Sequence, residues 1–198
     1  MTMHNNVTGV ILAGGRGARM GGVDKGLVTL DEKPLVEYVI QRLQPQVSRI
    51  IISANRNQDK YARYGFAVVN DGAEASQAGP LAGIYSALTQ VTTDYILTVP
   101  CDAPRLPHDL AARLLLQLQR DQSSACMAHD GMRPQPLFAL LHTSLHVDMR
   151  RALRAGEYKV GLWLLQNCGC STADFSDCAK SFINLNTAEN IAAFKPDD

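Results

Sequence analysis

The chain has 198 residues, 46% hydrophobic and 19% charged, enough to bury one substantial core and near the usual size of a single domain. Its 19 basic residues face 19 acidic ones, so no overall field draws it to nucleic acid or an anionic membrane, and affinity for phosphates has to come from a local site. The opening MTMHNN lacks the basic start and apolar segment of a secretory signal, and no later run approaches the roughly 20 apolar residues that span a bilayer. One cytoplasmic domain over 1–198 is the expectation.

Taken in order, the β-branched runs VTGVIL (7–12), RIIIS (49–53), FAVV (66–69) and YILTV (95–99) read as buried strands, because they are continuous rather than alternating. Between them, 34–44, 57–64 and 80–90 carry apolar residues at helical spacing, with proline acceptable in the first turn. Strand, helix, strand in succession predicts right-handed crossovers and a doubly wound, mostly parallel α/β sheet of Rossmann-like type. The second half predicts a helix over 107–119, strands near 124–128 and 137–141 that add a small antiparallel element, and helices over 143–155 and 160–166. A short strand near 182–185 and a closing helix over 187–194, with Thr187 as its N-cap, complete the pattern. The five cysteines are odd in number and form no CxxC pair, which argues against a disulfide framework. Cys168 and Cys170, with His142 or His146, are spaced poorly for zinc, so reduced, packed thiols are expected.

Three segments carry chemistry. LAGGRGARMGGVDKG (12–26) directly follows the first strand, where an open α/β sheet places its ligand crevice at the carboxyl ends of the strands. Its glycines let main-chain N–H groups approach phosphate oxygens, and Arg16, Arg19 and Lys25 add positive charge. It matches neither familiar phosphate loop: Met20 stands where GxGxxG needs its third glycine, and Lys25 lies between Asp24 and Gly26 rather than in GK[ST]. In VPCDAP (99–104), Asp102 stands just past a strand end, a placement that suits magnesium, which takes one or two carboxylates plus waters and substrate phosphates. In DGAEASQAGPLAG (71–83), Asp71 follows another strand at the same edge and can accept hydrogen bonds from a ribose or from base N–H groups.

These segments, together with RPQP (133–136) and NLNT (184–187), resemble the molybdenum cofactor guanylyltransferases over about residues 7–194. The resemblance implies an enzyme that transfers GMP from GTP to the terminal phosphate of molybdenum-bound molybdopterin, giving the guanine dinucleotide cofactor and pyrophosphate. It also implies that Leu12, Ala13, Gly14 and Gly15 line the GTP site, that Lys25 reaches the phosphates, that Asp71 contacts the nucleoside and that Asp102 holds Mg2+. Arg19 joins Lys25 in stabilising the phosphoryl oxygens, and Arg133, Lys159 and Asn186 are candidate contacts to the acceptor.

One position departs from the family pattern. The second strand ends in Ser53 where a family member has asparagine; a hydroxyl offers less than an amide's paired donor and acceptor, and Asn55 lies close enough to compensate. The partners implied are GTP, molybdenum-molybdopterin, other proteins of molybdenum cofactor synthesis and the recipient molybdoenzymes. The glycine-loop signature is shared by nucleotidyltransferases for sugars and isoprenoid precursors. Two alternatives therefore stay open: a cytidylyltransferase on the same cofactor or on a sugar or isoprenoid phosphate, and a non-catalytic module that carries nucleotide or cofactor.

Overall fold

The computed structural model describes residues 6–13, 23–71, 79–192 and 194. Its main sheet has seven strands in the order β5-β4-β1-β6-β8-β7-β9. They are β1 (Val7–Leu12), β4 (Arg49–Ser53), β5 (Ala67–Val69), β6 (Tyr95–Pro100), β7 (Ala125–His129), β8 (Pro134–His142) and β9 (Ser171–Asp174). Strands β5, β4, β1 and β6 are parallel, and β1 is central to them, with Leu12 facing Ser53 on one side and Pro100 on the other. All six residues of β1 are buried, as its unbroken apolar run requires. β8 runs antiparallel to β6 and β7, and β7 and β9 are parallel to each other. The expected antiparallel element is present and joins the sheet beside β6, and β9 extends the sheet one strand further. A separate hairpin joins β2 (Thr29–Leu30) to β3 (Lys33–Pro34).

Helices cover both faces. On one side α1 (Leu35–Leu43), α2 (Gln58–Ala62) and α4 (Leu110–Arg120) bury Val36, Val39, Leu43, Tyr61, Leu110 and Leu114 against Val7, Ile11, Ile52 and Val99. α1 comes close because Gly9 has no side chain: a Cβ there would stand 2.8 Å from Leu43 Cδ2. On the other side α3 (Pro80–Leu88), α5 (His146–Arg154) and α6 (Val160–Asn167) bury Leu81, Ile84, Met149 and Trp163 against Val10, Ile51 and Ile96. Gln46, buried on the α1 and α4 side, donates from Nε2 to the carbonyls of Arg42 and Pro107, each at 2.8 Å, and accepts from the Ala111 N–H at 3.0 Å. That side chain fastens the end of α1 to the first turn of α4, where backbone N–H groups lack helical partners.

One expectation changes. The segment 182–185 is not a strand: a 3-10 stretch ends at Phe182, and the chain then runs extended with the Leu185 N–H donating to the Asp102 carbonyl at 2.9 Å. Phe182 and Leu185 are buried because they anchor in different clusters, Phe182 on the rings of Phe138 and Phe175 at 4.9 and 5.3 Å, Leu185 beside Leu30 and Leu35. Between Lys25 and α1 the chain forms a 3-10 turn over Lys25–Leu27 and the β2–β3 hairpin. Thr187 does cap the closing helix α7 (Ala188–Ala192), its hydroxyl accepting from the Asn190 N–H at 3.1 Å. Among the described residues no helix is long and apolar enough to cross a membrane.

Candidate active site

The carboxyl ends of the parallel strands form one rim, tied across by backbone bonds. The Ala13 N–H donates to the Ser53 carbonyl at 2.8 Å, Ala54 to Val69 at 2.8 Å, and Cys101 to Leu12 at 3.2 Å. Sequence separations of tens of residues thus collapse into a row that carries Asp71, Ser53, Leu12, Ala13 and Asp102. Gly14, Gly15, Arg16 and Arg19 lie outside the described residues.

Three of the expected residues meet directly. The Lys25 ammonium stands 3.3 Å from Asp102 Oδ2 and donates to Asn186 Oδ1 as well. An ammonium has three donors, so one is left for a phosphate oxygen. Asn186, expected on the acceptor, comes here because Leu185 is hydrogen-bonded to the Asp102 carbonyl. The Asp102 side chain is 8% exposed. Burial raises its carboxyl above the usual carboxylate value, and Lys25 opposes that shift. Among the described residues no group of three or more His, Cys, Asp or Glu side chains can enclose a metal ion. A single, largely buried carboxylate at the carboxyl rim of a parallel sheet nonetheless suits magnesium, which keeps several waters and takes other ligands from substrate phosphates. Asp24, the neighbouring acid, is turned to α2, its two oxygens accepting hydrogen bonds from Tyr61 and Asn57.

The second group lies across β1. Asn55 and Asp71 bond reciprocally: Asn55 Nδ2 donates to Asp71 Oδ2 at 2.5 Å, and the Asp71 N–H donates to Asn55 Oδ1 at 3.0 Å. Burial raises the Asp71 carboxyl, and the Asn55 bond opposes it. Ser53 is 3% exposed. Gly83 in α3 lies against this group: a Cβ on it would fall on Ser53 Oγ and stand 3.2 Å from Asp71 Oδ1. An ordinary mid-helix glycine gains stability when replaced by alanine, but here Gly83→Ala is expected to cost about 1–3 kcal/mol through overpacking. A lower urea midpoint at unchanged slope is the expected reading, and a higher midpoint would remove the close approach from consideration.

Arg133 and Lys159 stand further along the same edge and touch neither group. β8 begins at the carboxyl edge because it runs against β6, so the turn before it holds Arg133 there, with Asp130 Oδ2 3.9 Å from its guanidinium. Lys159 caps α6, whose Gly161 faces Pro136 near the start of β8.

A rim with a lysine on a buried carboxylate, and an acid–amide pair across β1, suits phosphoryl chemistry on a nucleoside triphosphate. Residues 9–167 match the MobA-like NTP transferase domain. The chain belongs to that family. It is a nucleotidyltransferase of the MobA-like kind, and similar proteins span nearly all of it. The molybdenum cofactor guanylyltransferase of Shewanella sediminis is 45% identical over 94% of each chain, and that of Shewanella woodyi is 46% identical, again over 94% of each. Among solved structures, molybdopterin-guanine dinucleotide biosynthesis protein A from Archaeoglobus fulgidus superposes with a TM-score of 0.77 at 22% identity, over 93% of this chain and 95% of that one. A nucleotidyl transferase from Methanothermobacter thermautotroptrophicus gives 0.69 at 17% identity, over 94% of each. At those identities the two structures speak for the fold alone.

Three residues of this MobA-like chain escaped the sequence reading. Gly83 was seen only as part of a small-residue run, although a glycine inside a helical segment is itself a sign of close approach. Asp24 and Tyr61 are joined across 36 intervening residues, and only the tertiary fold brings them together.

Proposed function

We propose that the protein transfers GMP from GTP to the terminal phosphate of molybdenum-bound molybdopterin, releasing pyrophosphate, with the whole chain acting as one cytoplasmic domain. The observation that carries this reading is the Lys25–Asp102–Asn186 group at the rim of the parallel strands, in a chain 45% identical to molybdenum cofactor guanylyltransferases over almost its full length.

The chemistry is in-line attack of a molybdopterin phosphate oxygen on the α-phosphorus of GTP, with the electron pair of the breaking P–O bond leaving on pyrophosphate. Both reactants are anionic, so catalysis consists of charge neutralisation and alignment. Leu12, Ala13, Gly14 and Gly15 approach the nucleotide through their backbone, Asp71 and Ser53 take its nucleoside end, and Lys25 with Arg19 stabilises the phosphoryl oxygens and the departing pyrophosphate. Asp102 is the residue to hold magnesium, which when bound offsets phosphate charge as a Lewis acid. The attacking phosphate is already ionised at neutral pH, so no side chain need remove a proton from it. Arg133, before β8, and Lys159, before α6, are the residues assigned to the anionic acceptor, together with Asn186, which bonds Lys25. By this reading the further partners are other proteins of molybdenum cofactor synthesis and the molybdoenzymes that receive the product.

Base choice is the property to test. Asp71 is fixed by Asn55, and a fixed carboxylate accepts from paired N–H donors, which the guanine edge offers at N1 and N2 and cytosine does not. With magnesium and molybdenum-molybdopterin, GTP is expected to be used at least about tenfold more efficiently than CTP, read as the ratio of kcat/KM. Preferred turnover of CTP would overturn the guanine assignment.

A further inference from the structure

Among the described residues only two charged side chains are buried, Asp102 and Asp24. Asp102 has a place in the reaction. Asp24 has none, and a buried carboxylate needs hydrogen-bond donors to offset its lost hydration. Oδ1 accepts the Tyr61 hydroxyl at 2.5 Å and Oδ2 accepts Asn57 Nδ2 at 3.0 Å. Tyr61 is wholly buried. Asn57 stands at the start of α2 in the left-handed region, φ 50°, a conformation asparagine tolerates better than most residues. Its side chain makes no cap bond to α2 and is directed to Asp24 instead.

The other flank of Lys25 is equally constrained. A Cβ on Gly26 would stand 2.5 Å from the Tyr61 hydroxyl and 3.2 Å from Cys101 Sγ. The turn is therefore wedged between α2 and the end of β6, one residue from Asp102.

We propose that Asp24, Tyr61 and Asn57 form a positioning clamp that ties the base of Lys25 to α2 and sets where its ammonium stands over the phosphates of bound nucleotide. The three are positioning residues that act through Lys25, so the proposal rests on the role given to that lysine in nucleotidyl transfer. A misplacement of about 1 Å in a reacting constellation can cost 10²-fold in rate, which gives the clamp a function that core packing alone does not.

The test is a double-mutant cycle. Tyr61→Phe keeps the ring and removes the hydroxyl; Asn57→Gly keeps the left-handed backbone without strain and removes the amide. Each is measured alone and combined with Lys25→Ala. Each single variant is expected to lower kcat by about tenfold or more with the KM for GTP changed less than about threefold, and to have no further effect once Lys25 is alanine. Equal losses in both backgrounds, or an unchanged kcat in both single variants, would overturn the clamp. If Tyr61→Phe does not fold, Asn57→Gly completes the cycle alone. If the wild-type protein transfers no GMP, the nucleotidyl-transfer reading fails, and the cycle is then read on GTP affinity by calorimetry: coupling to Lys25 supports the clamp, and additivity overturns it.

Discussion

Replacing Lys25 with alanine is expected to lower kcat for GMP transfer by about two to three orders of magnitude, the usual effect of removing one donor aimed at developing charge. The ammonium stands on Asp102 and Asn186, and its side chain is 23% exposed, so it is held at the rim with one donor free. Negative charge on the phosphoryl oxygens and the leaving pyrophosphate grows on the way to the transition state, and an interaction that strengthens along that path raises kcat rather than merely lowering KM. Steady-state kinetics at saturating GTP separates the cases. A loss in kcat and kcat/KM together is expected, whereas a rise in KM at constant kcat would mean that Lys25 only binds ground-state nucleotide. Lys25→Arg should remain impaired, because a planar, delocalised guanidinium does not reproduce the compact ammonium that Asp102 and Asn186 hold.

Asp102→Ala is expected to reduce transfer by at least about 10³-fold, while GTP still binds weakly through the backbone of the glycine loop. The distinguishing measurement is GTP binding with and without magnesium. In the wild-type protein magnesium should tighten binding; in Asp102→Ala the two isotherms should coincide. Asp102→Asn keeps the shape and the neighbouring Leu185 contact, which is made to the backbone carbonyl, so the same loss of magnesium response in that variant separates metal binding from local collapse. A full magnesium response in both variants would move the metal to another residue.

The parallel half of the fold is legible in the sequence because burial on both faces leaves an unmistakable mark. β1, β4 and β6 are almost wholly buried, and their runs carry few polar residues to confuse the pattern. β9 escaped because it reads STAD, with only Ala173 buried: an edge strand paired on one side needs little apolar character. The hairpin of β2 and β3 has two residues in each strand, too few for any periodicity. At 182–185 the error has the opposite cause. FINL has the spacing of a strand, yet Phe182 and Leu185 are apolar to fill two separate clusters, and the backbone between them joins no sheet.

At the site, the residues marked by position along the chain are brought to one edge: Leu12, Ala13, Ser53, Asp71 and Asp102 each end or follow a parallel strand, and β-strand order alone places such residues together. Asn186 was read as an acceptor contact, and its bond to Lys25 depends on how the final segment crosses beneath Asp102, which no local pattern encodes. Asn55, the candidate to compensate for Ser53 at the base edge, bonds Asp71 reciprocally, a pairing that the sequence does not show. The Asp24–Tyr61 bond was invisible for a related reason, since a tyrosine in a short helix looks like ordinary core until its hydroxyl has a partner.

The central claim is a transfer of the nucleotidyl group, and GTP labelled at its α-phosphorus tests it most directly. The protein is incubated with that GTP, magnesium and molybdenum-molybdopterin, and the label is followed while pyrophosphate is measured. Label passing into a molybdopterin dinucleotide with an equal amount of pyrophosphate released is the expected result. Label that stays in intact GTP, bound and handed on without pyrophosphate, would contradict it and make the protein a carrier.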